Sequence, residues 1–196
     1  MSDKTSSLRS TAETWGSLTR ALHWISAVMV IGLLTHGWLM THVVARENRQ
    51  WNYATHGSIA IYFAVVLLLR LVWRVGDSTP RPPSGMPTWQ IALSHATHAI
   101  LYILMIAMVV TGYLMWSSLP ARIDPARAAL WDFHLLGFKL PAAYAVPARD
   151  VSKYWEHWHE FTSHLLEIFV VLHIAAALWH QFVTRDNVMA RMVRGV

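Results

Sequence analysis

The chain has 196 residues, 55% of them hydrophobic and only 14% charged, where a soluble domain carries nearer a quarter charged residues. Its net charge of +5 sits in basic residues that flank long apolar runs instead of lining a soluble helix, which argues against a nucleic-acid partner and for membrane lipid. Cysteine is absent, so disulfides, thiolate-held iron–sulfur clusters and covalent haem attachment through C-x-x-C-H are excluded.

Crossing ~30 Å of hydrocarbon takes about 20 helical residues. Residues 1–14 form a polar tail, expected to be mobile, and the first long apolar segment follows at about 18–40. No small-residue cleavage site lies near its end, so it reads as a retained helix. The short polar link THVVARENRQ leads to a second segment at about 52–75, and the proline-rich GDSTPRPPSGMP, which cannot continue a helix, leads to a third at about 90–116. Residues 117–154 are a long excursion with Pro120, Pro125, Pro141 and Pro147 and the apolar patch LWDFHLLGFKLP, read as a cap over one membrane face. The fourth segment runs at about 155–184. The expected fold is all-α, an integral membrane four-helix bundle, with residues 15–196 forming a single domain.

Basic residues set the orientation. The N-terminal tail, the second connection and the C-terminal tail share one side and hold Lys4, Arg9, Arg20, Arg70, Arg74, Arg81, Arg185, Arg191 and Arg194, nine of the sixteen. Short flanks rich in Lys and Arg stay inside, so both termini are expected in the cytoplasm of a bacterial inner-membrane protein, with residues 117–154 on the periplasmic side. Trp15, Trp38, Trp51, Trp73, Trp89, Trp116, Trp155, Trp158 and Trp179 fall near helix ends, the depth that amphipathic indole rings favour.

Histidine inside hydrocarbon is costly and usually faces the bundle interior with a partner. At least eight lie in or at the ends of the predicted helices: His23, His36, His56, His95, His98, His159, His173 and His180. His159 and His173 are fourteen residues apart on segment four. At 100° per residue that is nearly four whole turns, so both project from one face, ~21 Å apart along the axis. Neutral imidazole is a good axial ligand for haem iron, and a bis-histidine site needs a second helix at each level. Segment one starts inside with His23 and segment two starts outside with His56, so depth pairs His23 with His173 and His56 with His159, as axial ligands of two b-type haems. Gly57, beside His56, leaves room for a flat macrocycle. Zinc or copper fits less well, because ligands this far apart cannot share one ion.

His95 and His98 near the start of segment three, and His180 two turns beyond His173, converge on the inner haem. His98 is an alternative inner ligand, and the three together suit proton handling beside a bound quinone. His36, His42, His134, His157 and His164 are weaker candidates. His36 is about 220° round the helix from His23 and is expected to face elsewhere. Glu167, in the membrane, needs a partner, and His164 one turn earlier can supply it.

The runs LTRALHW, ATHGSIA, ALSHATHAILY and WHEF…VLHIAAALWH, in this order across residues 17–194, resemble the bacterial cytochrome b561 family, and particularly its superoxide-oxidising members. The resemblance carries the haem ligands to His23, His56, His159 and His173. It implies that superoxide gives an electron at the outer haem and that ubiquinone is reduced from the inner one. An anionic substrate is steered by positive charge. The outer loops contain Arg46, Arg49, Arg122, Arg127, Lys139, Arg149 and Lys153, although Glu47, Asp124, Asp132, Asp150, Glu156 and Glu160 offset most of that charge. Two other readings stay open: a cytochrome b subunit relaying electrons between the quinone pool and a periplasmic redox partner, and a haem-free transporter with a histidine proton relay.

Overall fold

Four long apolar helices make up most of the structure, a computed structural model whose described residues are 7–45, 48–120, 132–144 and 146–195. They are α1 (Ser17–His42), α2 (Arg49–Gly76), α3 (Thr88–Ser118) and α4 (Arg149–Trp179). All four are long and apolar enough to cross a membrane. A two-stranded hairpin, β1 (His134–Leu135) and β2 (Phe138–Lys139), lies between α3 and α4. A π-helical turn over His180–Thr184 closes α4, and a short helix, α5 (Val188–Val193), follows it.

The helices start where the chain first permits. The Pro87 carbonyl accepts the N–H of Ile91 at 3.3 Å, so α3 begins directly after the last proline of its connection. α4 begins at Arg149, earlier than the 155 expected, because nothing after Pro147 breaks a helix and Asp150 in its first turn complements the helix dipole.

The burial pattern inverts that of a soluble protein. Val28, Leu68, Val72, Ile103 and Val171 are all more than 60% exposed, while Ser26, Ser117 and Ser118 are fully buried. Each of these serines donates its hydroxyl to the carbonyl one turn back, Leu22, Tyr113 and Leu114 respectively, which satisfies it and lets helices approach closely. Large apolar side chains left outward and fully buried serines are what a lipid solvent permits, beside an apolar interior that includes Phe63, Leu67 and Leu166.

By their contacts the residues divide into two units, Met1–Val28 with Val66–Leu101 and Ile168–Val196, and Met29–Val65 with Tyr102–Glu167. In the first unit the N-terminal segment, expected to be free, is tied down from Ser7 onward. Ser17 N–H donates to Ser7 O, and Arg81 N–H donates to Ala12 O. The Asp77 carboxylate accepts from Ser10 N, Ser10 Oγ and Thr19 Oγ1 at 2.9, 2.6 and 2.5 Å. Burial by itself would raise the Asp77 pKa, but these bonds from Ser10 and Thr19, with that from the Ser78 amide, outweigh it and hold the carboxyl below its ordinary value. Arg191 of α5 donates to the carbonyls of Glu13 and Arg81. These polar clamps were invisible as periodicity because their partners come from three separate stretches of chain.

In the second unit the excursion folds back. Leu136 and Gly137 both take positive φ, 51° and 87°, as a two-residue hairpin turn requires. Phe133, just before the hairpin, stacks on Trp116 at 5.0 Å between ring centres, and Tyr113 donates to the Pro141 carbonyl at 2.5 Å. Trp116 is thus a core residue, 5% exposed, and not an interfacial anchor. Of the expected cap, residues 117–120, 132–144 and 146–154 are described; Arg122 and Arg127 lie outside the described residues.

Candidate functional site

Two pairs of histidines face each other across helices. In the first unit, His23 of α1 and His173 of α4 have ring centres 6.3 Å apart, with planes at 62°. In the second, His56 of α2 and His159 of α4 have ring centres 6.4 Å apart, with planes at 88°. Two metal–imidazole bonds of about 2 Å each, plus about 1 Å from each coordinating nitrogen to its ring centre, span about 6 Å. Each pair is therefore spaced to take one metal atom between its rings, and both are wrong for direct hydrogen bonding between rings.

The surroundings of the second pair fit a flat iron macrocycle with neutral imidazole ligands. The Thr111 hydroxyl donates to Ala107 O at 2.7 Å, so its oxygen accepts from His159 Nδ1–H at 3.0 Å. That bond puts the His159 proton on Nδ1 and leaves Nε2 with a free lone pair. Gly112 lets the His159 ring lie against the α3 backbone, whereas Gly37 leaves only an ordinary contact beside His56. A Cβ on Gly112 would come 3.0 Å from His159 Cε1, and one on Gly37 would come 3.7 Å from His56 Cε1. His56 Nδ1 is buried without a hydrogen-bond partner among the described residues, the kind of orphan that marks a functional position. Gly57, expected to face the macrocycle, instead receives Phe133: a Cβ there would lie 2.3 Å from that ring.

His36, expected to point elsewhere, joins this site. Its ring centre is 5.7 Å from that of His56, and its Nε2 lies 3.1 Å from Asn52 Oδ1. Rotation about one helix could not reveal this, because the neighbour comes from α2.

Around the first pair, two observations pull apart. Arg70 donates to His23 Nδ1 at 3.0 Å. A guanidinium can only donate, so this contact leaves the His23 proton on Nε2, the wrong tautomer for a ligand through that atom. His98, meanwhile, donates Nδ1–H to Ser94 O at 2.6 Å and keeps Nε2 free, yet its ring centre is only 5.2 Å from that of His173. The separation is set by where helices place their backbones, whereas the arginine contact is set by a long rotatable arm. Of the two separations, 6.3 Å for His23 and 5.2 Å for His98, the first is the one near the span of two metal–imidazole bonds.

The remaining predicted residues separate. His95 is exposed one turn before His98. His180 opens the π-turn, and its Nδ1 lies 2.5 Å from Asp186 Oδ2, with both side chains 19% exposed. π-turns recur at functional sites. Lys139 is paired with Asp132 at 2.7 Å, which cancels its long-range field, while Arg149 and Lys153 are exposed in the first turns of α4. His164 and Glu167 are neighbours at 3.5 Å.

The sequence matches the family model described as prokaryotic cytochrome b561 over residues 14–195. It is 30% identical to cytochrome b561 homolog 2 of Escherichia coli strain K12, with 95% of each chain covered. It is 23% identical to the probable superoxide oxidase CybB of Yersinia pestis, covering 91% of this chain and 95% of that one. It is 24% identical to the probable Ni/Fe-hydrogenase 1 B-type cytochrome subunit of E. coli K12, covering 90% of this chain and 86% of that one.

Proposed function

The chain belongs to the prokaryotic cytochrome b561 family, multi-pass membrane b-type cytochromes of electron transfer, and from that premise we propose that it holds two haems and reduces ubiquinone with electrons from superoxide. The observation that carries the two-haem reading is the pair of histidine separations, 6.3 and 6.4 Å, each matching a bis-imidazole site. His23 with His173 would hold the inner haem and His56 with His159 the outer. Both termini are assigned to the cytoplasm, on the positive-inside rule, and residues 15–196 act as one di-haem domain.

When bound, haem b supplies a one-electron iron couple whose potential its axial ligands and their hydrogen bonds tune. The chain's own residues do the rest. Thr111 fixes the orientation and tautomer of His159, and Gly112 gives that imidazole room. Arg70 beside His23 presents a guanidinium, for which a haem carboxylate is a stronger acceptor than imidazole. The reaction balances as two superoxide anions and one ubiquinone plus two protons giving two dioxygen molecules and one ubiquinol. The protons enter on the quinone side. His98, with Nε2 free, and His180, aligned by Asp186, are the groups assigned to pass them, with His95 at the margin.

The superoxide donor rests on the similarity to the probable superoxide oxidase and on exposed Arg149 and Lys153 as steering charges. A second reading, electron relay between quinone and a periplasmic enzyme, is favoured by the similarity to hydrogenase cytochrome subunits. One experiment separates them. Purified haem-loaded protein is given superoxide and a soluble ubiquinone. Ubiquinol forming without a partner, at a rate that falls as salt rises, supports the first; no ubiquinol supports the relay.

A further inference from the structure

We propose that the face of α4 carrying His164 and Glu167 is a contact surface for a second copy of this chain within the membrane. His164 is five residues past His159 and Glu167 is eight past it, which places them about 140° and 80° round the helix from that ligand. The pair thus projects away from the histidine site. Its side chains are 65% and 43% exposed, and the two lie 3.5 Å apart, at the outer limit of a hydrogen bond. Both fall within a helix long and apolar enough to span the membrane.

The exposed apolar residues on this face, Phe161 and Ile168, need no cover, since lipid is as good a neighbour as protein. A carboxyl and an imidazole are different, because hydrocarbon offers neither a donor nor an acceptor. The polar pair is what calls for a protein partner, and its composition selects which one. A two-fold axis along the membrane normal brings identical faces together at the same depth. A face with one acid and one base a turn apart is then complementary to itself: His164 meets Glu167 of the partner subunit, and the reverse, giving two bonds. His157, Phe161 and His164 are spaced four then three, the spacing of a helix–helix seam, and the sequence continues it with Ile168 and Val171.

The chain's lack of cysteine makes the test clean. Phe161→Cys and, as control, Ile103→Cys on the exposed side of α3 are placed singly in the protein and oxidised in native membranes. A disulfide-linked species of twice the chain mass from Phe161→Cys, and not from Ile103→Cys, supports the proposal. Adding Glu167→Lys to Phe161→Cys cuts the cross-linked fraction about tenfold, and exchanging the pair (His164→Glu with Glu167→His) restores it. Haem absorption checks that each variant is folded, and Phe161→Cys by itself decides the matter if the others are not. Equal cross-linking at 161 and 103, a product of any other mass, or indifference to Glu167→Lys overturns it.

Discussion

Replacing Thr111 by valine removes one oxygen from the site and nearly nothing else. Thr111 is 8% exposed, and its hydroxyl is the acceptor for His159 Nδ1–H at 3.0 Å. Valine keeps the shape but removes this acceptor and leaves the Met108 carbonyl as the other partner, a loss of about 0.5–1.5 kcal/mol. Partners that orient a metal-binding histidine are worth about 10- to 100-fold in metal affinity, and the loss of one of two acceptors lies at the low end of that range. The lost bond also makes the imidazole a weaker electron donor to iron, so the midpoint potential of that component rises. The assay is haemin titration of apo-protein, followed by a redox titration of the reconstituted protein. In Thr111→Val the second equivalent of haem binds weakly and one of two midpoints moves upward; in Thr111→Ser, which keeps the oxygen, both return. Wild-type affinity and unchanged midpoints in Thr111→Val would refute the assignment. So would a serine variant as defective as valine, since the methyl would then be what matters.

Substituting alanine for His56 or for His159 is expected to give the same half-loss of haem and the same missing spectral component, while His23→Ala and His173→Ala both remove the other; haem per protein and low-temperature difference spectra check this. Gly112→Leu puts its first side-chain carbon 3.0 Å from His159 Cε1 and the rest into the ring, so it loses the outer haem, measured by the same titration, while the inner component stays. For Asp77 the folded carboxyl titrates below its ordinary value of 3.8, so its anchoring of Ser10 and Thr19 is intact above that pH and is lost as pH falls below it. Asp77→Asn should show the weakened state at neutral pH, seen as faster hydrogen exchange at the Ser10 and Gly16 amides; exchange equal to wild type would count against that anchor.

Much of this protein was legible along the chain. The four helices were readable because each apolar run exceeds the length that hydrocarbon demands, and ends drifted only where polar residues continue a helix beyond the lipid, as at Arg149. His159 and His173 declared a shared face through their fourteen-residue spacing, and depth then named His56 and His23 as the neighbours they have. The hydrogen bonds that hold the chain from Ser7 onward were not legible, because their partners, Asp77, Arg81 and Arg191, are remote in sequence. His36 was misplaced because helical periodicity reports direction about one axis, not what another helix puts there.

The sequence by itself determined the solvent, the number of spans and the residue types able to bind iron, because hydrophobicity, length and period are properties of a chain alone. Tertiary structure decided what only distance can decide. It set the 6.3 and 6.4 Å ring separations and the hydrogen bond between His159 and the Thr111 hydroxyl. It also assigned the open side of Gly57 to Phe133 and left His164 with Glu167 exposed on the outer side of α4. Those are energies of approach between groups far apart in the chain, and no local pattern records them.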